Sequence, residues 1–299
     1  MNVPAANLNS TSSISYSIYI IRINIVQPTN KNYNKGGLHM DWGMQNRISQ
    51  IIKPKTGRTV MLAVDHGYFL GPTTRLENPQ KTIEPLLDYA DALMPTRGVL
   101  RNCVDPRTST PIVLRVSGGN SIIGEELSLE GITVSIEDAL RLNVVAMAMS
   151  IYVGSKYEHQ TLINLAGLCN EGQRYGMPVV AVTAVGKEMV RDARYISLCC
   201  RIAAEMGASI VKTYYTEGFE KVVEGCPVPL VVAGGKQMET ELDVFEIVSN
   251  AVQGGAVGVD MGRNIWQNDR PVAMIKAVRA VVHEDYTPQE ALDLYNGEQ

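Results

Sequence analysis

Val179-Val-Ala-Val-Thr-Ala184, then Arg191–Met206, then Ala208-Ser-Ile-Val-Lys-Thr-Tyr-Tyr215 form the stretch that decides the fold. The first segment is a continuous apolar run, as expected of a strand covered on both faces. The second is a helical pattern stopped by Gly207. The third is again apolar but carries Lys212 at its centre. Strand followed by helix followed by strand implies parallel strands with helices packed outside them.

The same alternation extends in both directions. Apolar runs recur at Thr59–Val64, Ala92–Met94, Pro111–Val116, Val144–Tyr152, Val228–Val232 and Gly258–Met261, which makes eight candidate strands. Helical patterns lie between them. Tyr157–Tyr175 ends at Gly176 with Pro178 beyond, and Glu239–Gln253 ends at Gly254-Gly255. Asp269–His283 opens on an expected Asp cap followed by Pro271. Thr287-Pro-Gln-Glu290 reads as a capping box for a last short helix. Eight such repeats fit an α/β chain folded as a (β/α)₈ TIM barrel over residues 41–299. A doubly wound open sheet is the competing architecture. It would normally place one dominant glycine-rich turn after its first strand, where this chain has Asp65-His66-Gly67.

Residues 1–40 differ in composition, being rich in Asn, Ser and Tyr. Their alternating stretch Ser13–Ile20 fits either a loosely ordered extension or a strand docking on another subunit. The apolar run Ile18–Ile21 is too short to span a bilayer and has no preceding cation, so neither an export signal nor a membrane anchor is expected. The chain of 299 residues has a net charge of −4 and no basic run, which argues against a nucleic-acid partner. The five cysteines follow no disulfide or zinc spacing, and most read as buried free thiols of a cytoplasmic protein. The four histidines are scattered, and no metal site is expected.

Barrel enzymes place their chemistry at the carboxyl ends of the strands. The first strand ends with Asp65 on the face of Met61 and Ala63, where it can shuttle protons or cap the following turn. In the sixth, Lys212 shares a face with Ile210 and Tyr214. Burial disfavours an ammonium and favours the neutral amine that attacks a carbonyl; the alternative is a lysine paired with an acid at a strand end. The seventh and eighth strands end in Gly234-Gly235 and Gly262-Arg263. Glycine there lets backbone N–H groups approach an anion, a short helix near Arg263 would aim its N-terminus at the same point, and the guanidinium adds a fork for phosphate. Gly118-Gly-Asn-Ser121 reads as a loop at the barrel mouth. Arg115 either faces the cavity or forms a structural ion pair.

Together, Asp65-His66-Gly67, Lys212, Gly234-Gly235 and Gly262-Arg263 resemble the DeoC/FbaB class I aldolase family, and longer segments extend the likeness. These are Asp41-Trp-Gly-Met44, Gly71-Pro-Thr-Thr74, Val185–Asp192, Arg201–Gly207 and Val259–Asn264. The resemblance implies a TIM barrel in which Lys212 forms a Schiff base, Asp65 assists proton transfer, and Gly234, Gly235, Gly262 and Arg263 hold a substrate phosphate. Within the family it is closest to a thiolase branch. That branch transfers the acetyl end of a phosphorylated dione to coenzyme A in autoinducer-2 degradation, giving acetyl-CoA and dihydroxyacetone phosphate. No permanently bound cofactor is implied; coenzyme A is a co-substrate. A homo-oligomer, often a decamer, is implied as well. The alternative within the family is a Schiff-base aldolase for another sugar phosphate, such as fructose 1,6-bisphosphate. Related aldolases place a tyrosine near the end of strand five. Here that strand ends Val182-Thr-Ala-Val185 without one.

Overall fold

The computed structural model describes residues 41–184 and 192–298, and the extension 1–40 and segment 185–191 lie outside them. The eight barrel strands are β1 (Thr59–Ala63), β2 (Ala92–Met94), β3 (Val113–Arg115), β4 (Ala146–Ile151), β5 (Val179–Thr183), β6 (Ile210–Tyr214), β7 (Leu230–Ala233) and β8 (Gly258–Met261). All pair in parallel, and β8 returns to β1 with Val60 opposite Val259. Single bridges, Leu93 with Ile112 and Thr96 with Arg115, join β2 to β3 and complete the ring. The barrel expectation holds and the open sheet is excluded.

Alternation along each strand divides the core in two. Val60, Leu62, Val211 and Val259 point outward into the layer between strands and helices, which also buries Trp266, Phe219 and Phe245. Met61, Ala63, Ala92, Val113, Ala146, Ala148, Ile210 and Val231 fill the barrel interior. The helix Trp42–Ile51 plugs the amino end, lodging Met44, Ile48 and Ile51 among those interior residues. Asp41 caps it, accepting from the Met44 amide at 2.7 Å. Sequence patterning missed this helix because it precedes the strand–helix repeat.

The later helices match their sequence signals, with one correction. Thr287 and Glu290 form the expected capping box. Asp269 does not cap the helix Pro271–Glu284; Arg270 occupies that position without a side-chain bond. Asp269 stands one residue too early and instead pairs with Arg75. The glycine-rich stretch after β3 is also more ordered than a loop, since Ser117–Gly118 pairs antiparallel with Gly131–Ile132 in a hairpin. Cys169, Cys199, Cys200 and Cys226 are buried free thiols, and burial pushes Cys169 up to about 12. No described helix is long and apolar enough to cross a membrane.

Candidate active site

Inward positions near the carboxyl ends of the strands continue the interior columns upward. Asp65 follows Met61 and Ala63, Lys212 follows Ile210, and Ser150 and Tyr152 follow Ala146 and Ala148. These side chains meet in a cavity of about 150 Å³. Lys212, Asp65, Gly234, Gly235, Gly262 and Arg263 all line it, so the six residues singled out from sequence converge on one place. A larger open depression of about 750 Å³ lies beside Trp42, Arg47 and Arg141, and none of the six lines it.

Lys212 is 7% exposed, and its Nζ lies 2.9 Å from Oδ2 of Asp260 on β8. Asp260 is 1% exposed, and neither of its carboxylate oxygens makes a hydrogen bond of good geometry. Burial pushes its carboxyl above the ordinary range, against the pull of the Lys212 charge. Carbonyl attack requires the free amine, and the Asp260 carboxylate at 2.9 Å is placed to take the proton from Lys212. Sequence reading allowed for a paired lysine but did not single out Asp260. The alternation of Gly258-Val-Asp-Met261 already placed it on the inner face, two residues before Gly262.

Asp65 belongs to a second cluster. Its Oδ2 is 3.4 Å from Nη1 of Arg115, and its Oδ1 is 3.7 Å from Nδ1 of His66. Arg115, 4% exposed, is the hub. It donates to Glu130 at 3.0 Å, to the Tyr68 hydroxyl at 2.5 Å and to Ser150 at 2.5 Å. Arg115 thus lines the cavity and forms a structural ion pair at once, and Glu130, Tyr68, Tyr152 and Ser150 are site residues that sequence reading missed. Only Glu130 had no signal. It lies 15 residues along from Arg115 and returns to the site through the hairpin.

His66 packs edge-on against Trp266, with ring centres 5.5 Å apart. Burial is the main cause that lowers its pKa to about 4; Lys212, Arg263 and Arg115 add to it against the Asp65 charge. The ring is therefore neutral at physiological pH.

The glycines serve two different needs. Gly235 has φ +70, a left-handed conformation, while a Cβ on Gly262 would sit 2.4 Å from the Ala63 carbonyl oxygen and 2.7 Å from the His66 ring. A short helix, Arg263–Trp266, starts directly after Gly262 as expected. Asn264 ties the two loops together, donating to the Gly234 carbonyl at 2.8 Å and accepting from the Met238 amide at 2.8 Å.

The sequence profile of the DeoC/LacD family aldolases matches residues 59–268, which spans all eight strands and the entire cavity. The chain belongs to the DeoC/LacD aldolase family. Among characterised relatives, it is 57% identical over 265 residues to the 3-hydroxy-5-phosphonooxypentane-2,4-dione thiolase of Escherichia coli K12, covering 88% of this chain and 90% of that one. The thiolase of the same name from Enterobacter sp. strain 638 is 56% identical over 272 residues, covering 90% and 92%. A Schiff base-forming fructose-1,6-bisphosphate aldolase superposes with a TM-score of 0.73 at 25% identity, covering 80% of this chain and 99% of that structure. The fructose-bisphosphate aldolase of Slackia heliotrinireducens, at 20% identity and a TM-score of 0.76, covers 88% and 95% and shares the fold.

Proposed function

We propose that this DeoC/LacD family enzyme is a 3-hydroxy-5-phosphonooxypentane-2,4-dione thiolase acting through a Schiff base on Lys212. The observation that carries the reading is the buried Lys212–Asp260 pair between the glycine loops of β7 and β8 and the Arg115 cluster. The phosphate sits against Gly234, Gly235, Gly262 and Arg263, and that remote binding orients the neighbouring ketone over the amine. Lys212, having passed its proton to Asp260, adds to that ketone carbon, and loss of water gives an iminium. The coenzyme A thiol passes its proton to Asp65, or to a water it holds, and the sulfur adds to the acetyl carbonyl. The bond between the acetyl carbon and the hydroxyl-bearing carbon then breaks, and its electron pair passes into the iminium as an enamine. Asp65, or a water it holds, returns a proton to that carbon. Hydrolysis of the imine releases dihydroxyacetone phosphate and restores Lys212, with acetyl-CoA as the other product. The identity to named thiolases along almost the whole chain supports this substrate.

In this reading the cavity takes the reacting part of the dione, and coenzyme A is the acetyl acceptor. Assembly as a homo-oligomer, the decamer expected for the family, belongs to the same reading and is checked by light scattering. The central experiment incubates the phosphorylated dione with enzyme, with and without coenzyme A. The reading expects acetyl-CoA and dihydroxyacetone phosphate only when coenzyme A is present. Aldehyde release from fructose 1,6-bisphosphate, with no acetyl-CoA from the dione, would replace it with the simple aldolase. Borohydride added during turnover should fix substrate mass on Lys212.

A further inference from the structure

The β3–β4 wall of the cavity offers a more specific reading. Glu130, 2% exposed, accepts from the Tyr68 hydroxyl at 2.5 Å, the Ser117 hydroxyl at 2.6 Å, the Tyr152 hydroxyl at 2.8 Å and Arg115 at 3.0 Å. Four donors, one of them a guanidinium, thus converge on the one buried carboxyl of Glu130. The single phenolic proton of Tyr152 is therefore committed to Glu130. Burial, and then the Glu130 charge, push the Tyr152 phenol well above its ordinary pKa, so it keeps that proton at any working pH. Ser150 also bonds the Tyr152 hydroxyl, and Tyr152 lines the cavity with that oxygen held in fixed orientation and one acceptor position left for a ligand.

Lys212 stands on β6 and the glycine loops follow β7 and β8, so β3 and β4 form the opposite side of the mouth. A substrate with its phosphate at the glycine loops and its ketone carbon on Lys212 extends its remaining carbons toward that side. The next carbon carries the hydroxyl and flanks the bond that breaks.

We propose that Tyr152 is a specificity-determining residue that accepts a hydrogen bond from the substrate hydroxyl beside the scissile bond, with Glu130 as the positioning residue that fixes its proton. The inference rests on the thiolase reading and deepens it. A site built around a substrate hydroxyl discriminates strongly against the analogue lacking it, because its polar group is left unpaired. Tyr152 also answers the missing strand-five tyrosine in part: a tyrosine is present at the cavity, but from β4, and its protonation suits it to recognition.

The test compares the phosphorylated hydroxydione with its deoxy counterpart, phosphorylated pentane-2,4-dione, in the wild-type enzyme and in Tyr152→Phe. Two readouts are followed, acetyl-CoA formation and the rate of borohydride trapping at Lys212 without coenzyme A. Wild type should prefer the hydroxylated compound by about a hundredfold in kcat/KM, and Tyr152→Phe should bring that ratio close to one, chiefly by losing the hydroxylated substrate. Equal use of both compounds by wild type overturns the inference without any variant. An unchanged ratio in Tyr152→Phe, whether both activities fall together or neither does, overturns it as well. Trapping needs no coenzyme A, so hydroxyl selectivity seen there survives even where acetyl-CoA fails to form, and the two readings fail separately.

Discussion

The two ends of the barrel each bury a carboxylate among basic groups and treat it in opposite ways. At the amino end, Asp91 is 4% exposed and fully served: the Val60 amide donates at 2.7 Å, His283 Nε2 at 2.7 Å and Arg279 at 3.0 Å. At the carboxyl end, Asp260 is 1% exposed but has the 2.9 Å contact with Lys212 and no well-formed hydrogen bond. Burial is the largest effect on both acids and raises both. At Asp91 the bond from His283 and the Arg279 charge more than offset it, and its pKa ends below the ordinary value; at Asp260 burial prevails and the pKa ends above it. What distinguishes the working end from the holding end is therefore the number of donors each acid is given together with the deeper burial of Asp260. A saturated buried charge stabilises, whereas an unsaturated one stores reactivity.

The strongest attempt to break this comparison removes the amine. Lys212→Ala should lower turnover by roughly 10⁴-fold or more and abolish borohydride trapping, while circular dichroism stays native. Next come the two acids, exchanged for their amides. Asp91→Asn should cost about 3 kcal/mol in urea unfolding, because Arg279 and His283 lose a buried partner, and leave kcat near wild type. Asp260→Asn should cost less stability than that, since the desolvation relieved at Asp260 offsets part of what Lys212 loses with its partner, yet lower kcat by about 10²-fold. Equal stability losses in the two variants would erase the distinction between the ends.

Acid titration sharpens the same contrast. The folded pKa of Asp91 lies below its unfolded value of 3.8, so its contribution is present above pH 3.8 and lost as pH falls through the folded value. The folded pKa of Asp260 lies above 3.8, so its carboxyl favours the folded state below pH 3.8, and that advantage fades as pH rises through the folded value. Urea midpoints taken from pH 3 to pH 8 should show Asp91→Asn approaching wild type below about pH 3.8. Asp260→Asn should gain on wild type as pH rises above that point. Parallel curves would mean that neither acid is shifted.

Much of this arrangement was legible in the sequence, and the gaps have physical reasons. Period-two alternation grouped Asp65 with Met61 and Ala63, and Lys212 with Ile210, on single faces, and the structure turns those faces inward. The same rule reaches Asp260 and Tyr152, but each lies where attention falls on something more conspicuous, the Gly262-Arg263 turn and the long run of β4. Glu130 was not legible: it enters through the hairpin that brings Gly131 against Gly118, and pairing across an irregular insertion leaves no local periodicity. The amino-end plug was hidden for the converse reason. Helix Trp42–Ile51 belongs to no strand–helix repeat, and only its partners inside the barrel explain its apolar stripe.

The smallest expected effect bears on the amino end, where atoms alone invite a catalytic reading. Thr56 Oγ1 lies 2.9 Å from Nδ1 of His283, whose Nε2 meets Asp91 at 2.7 Å, so a hydroxyl, an imidazole and a carboxylate stand in series. A nucleophilic arrangement of this kind also needs a substrate cavity and an oxyanion site. Thr56 and His283 do not line the mouth cavity. Here the series ties the turn between Lys53 and Arg58 to the helix Pro271–Glu284. Thr56→Val keeps the shape and deletes the hydroxyl, which also accepts from the Arg58 amide at 3.3 Å. Stability should fall by about 1 kcal/mol, read as a lower urea midpoint at unchanged slope, with kcat and KM for the dione as in wild type. A Thr56→Val enzyme of normal stability but reduced turnover would make the amino end a working site too, and the contrast between a saturated and an unsaturated acid would no longer separate structure from chemistry in this barrel.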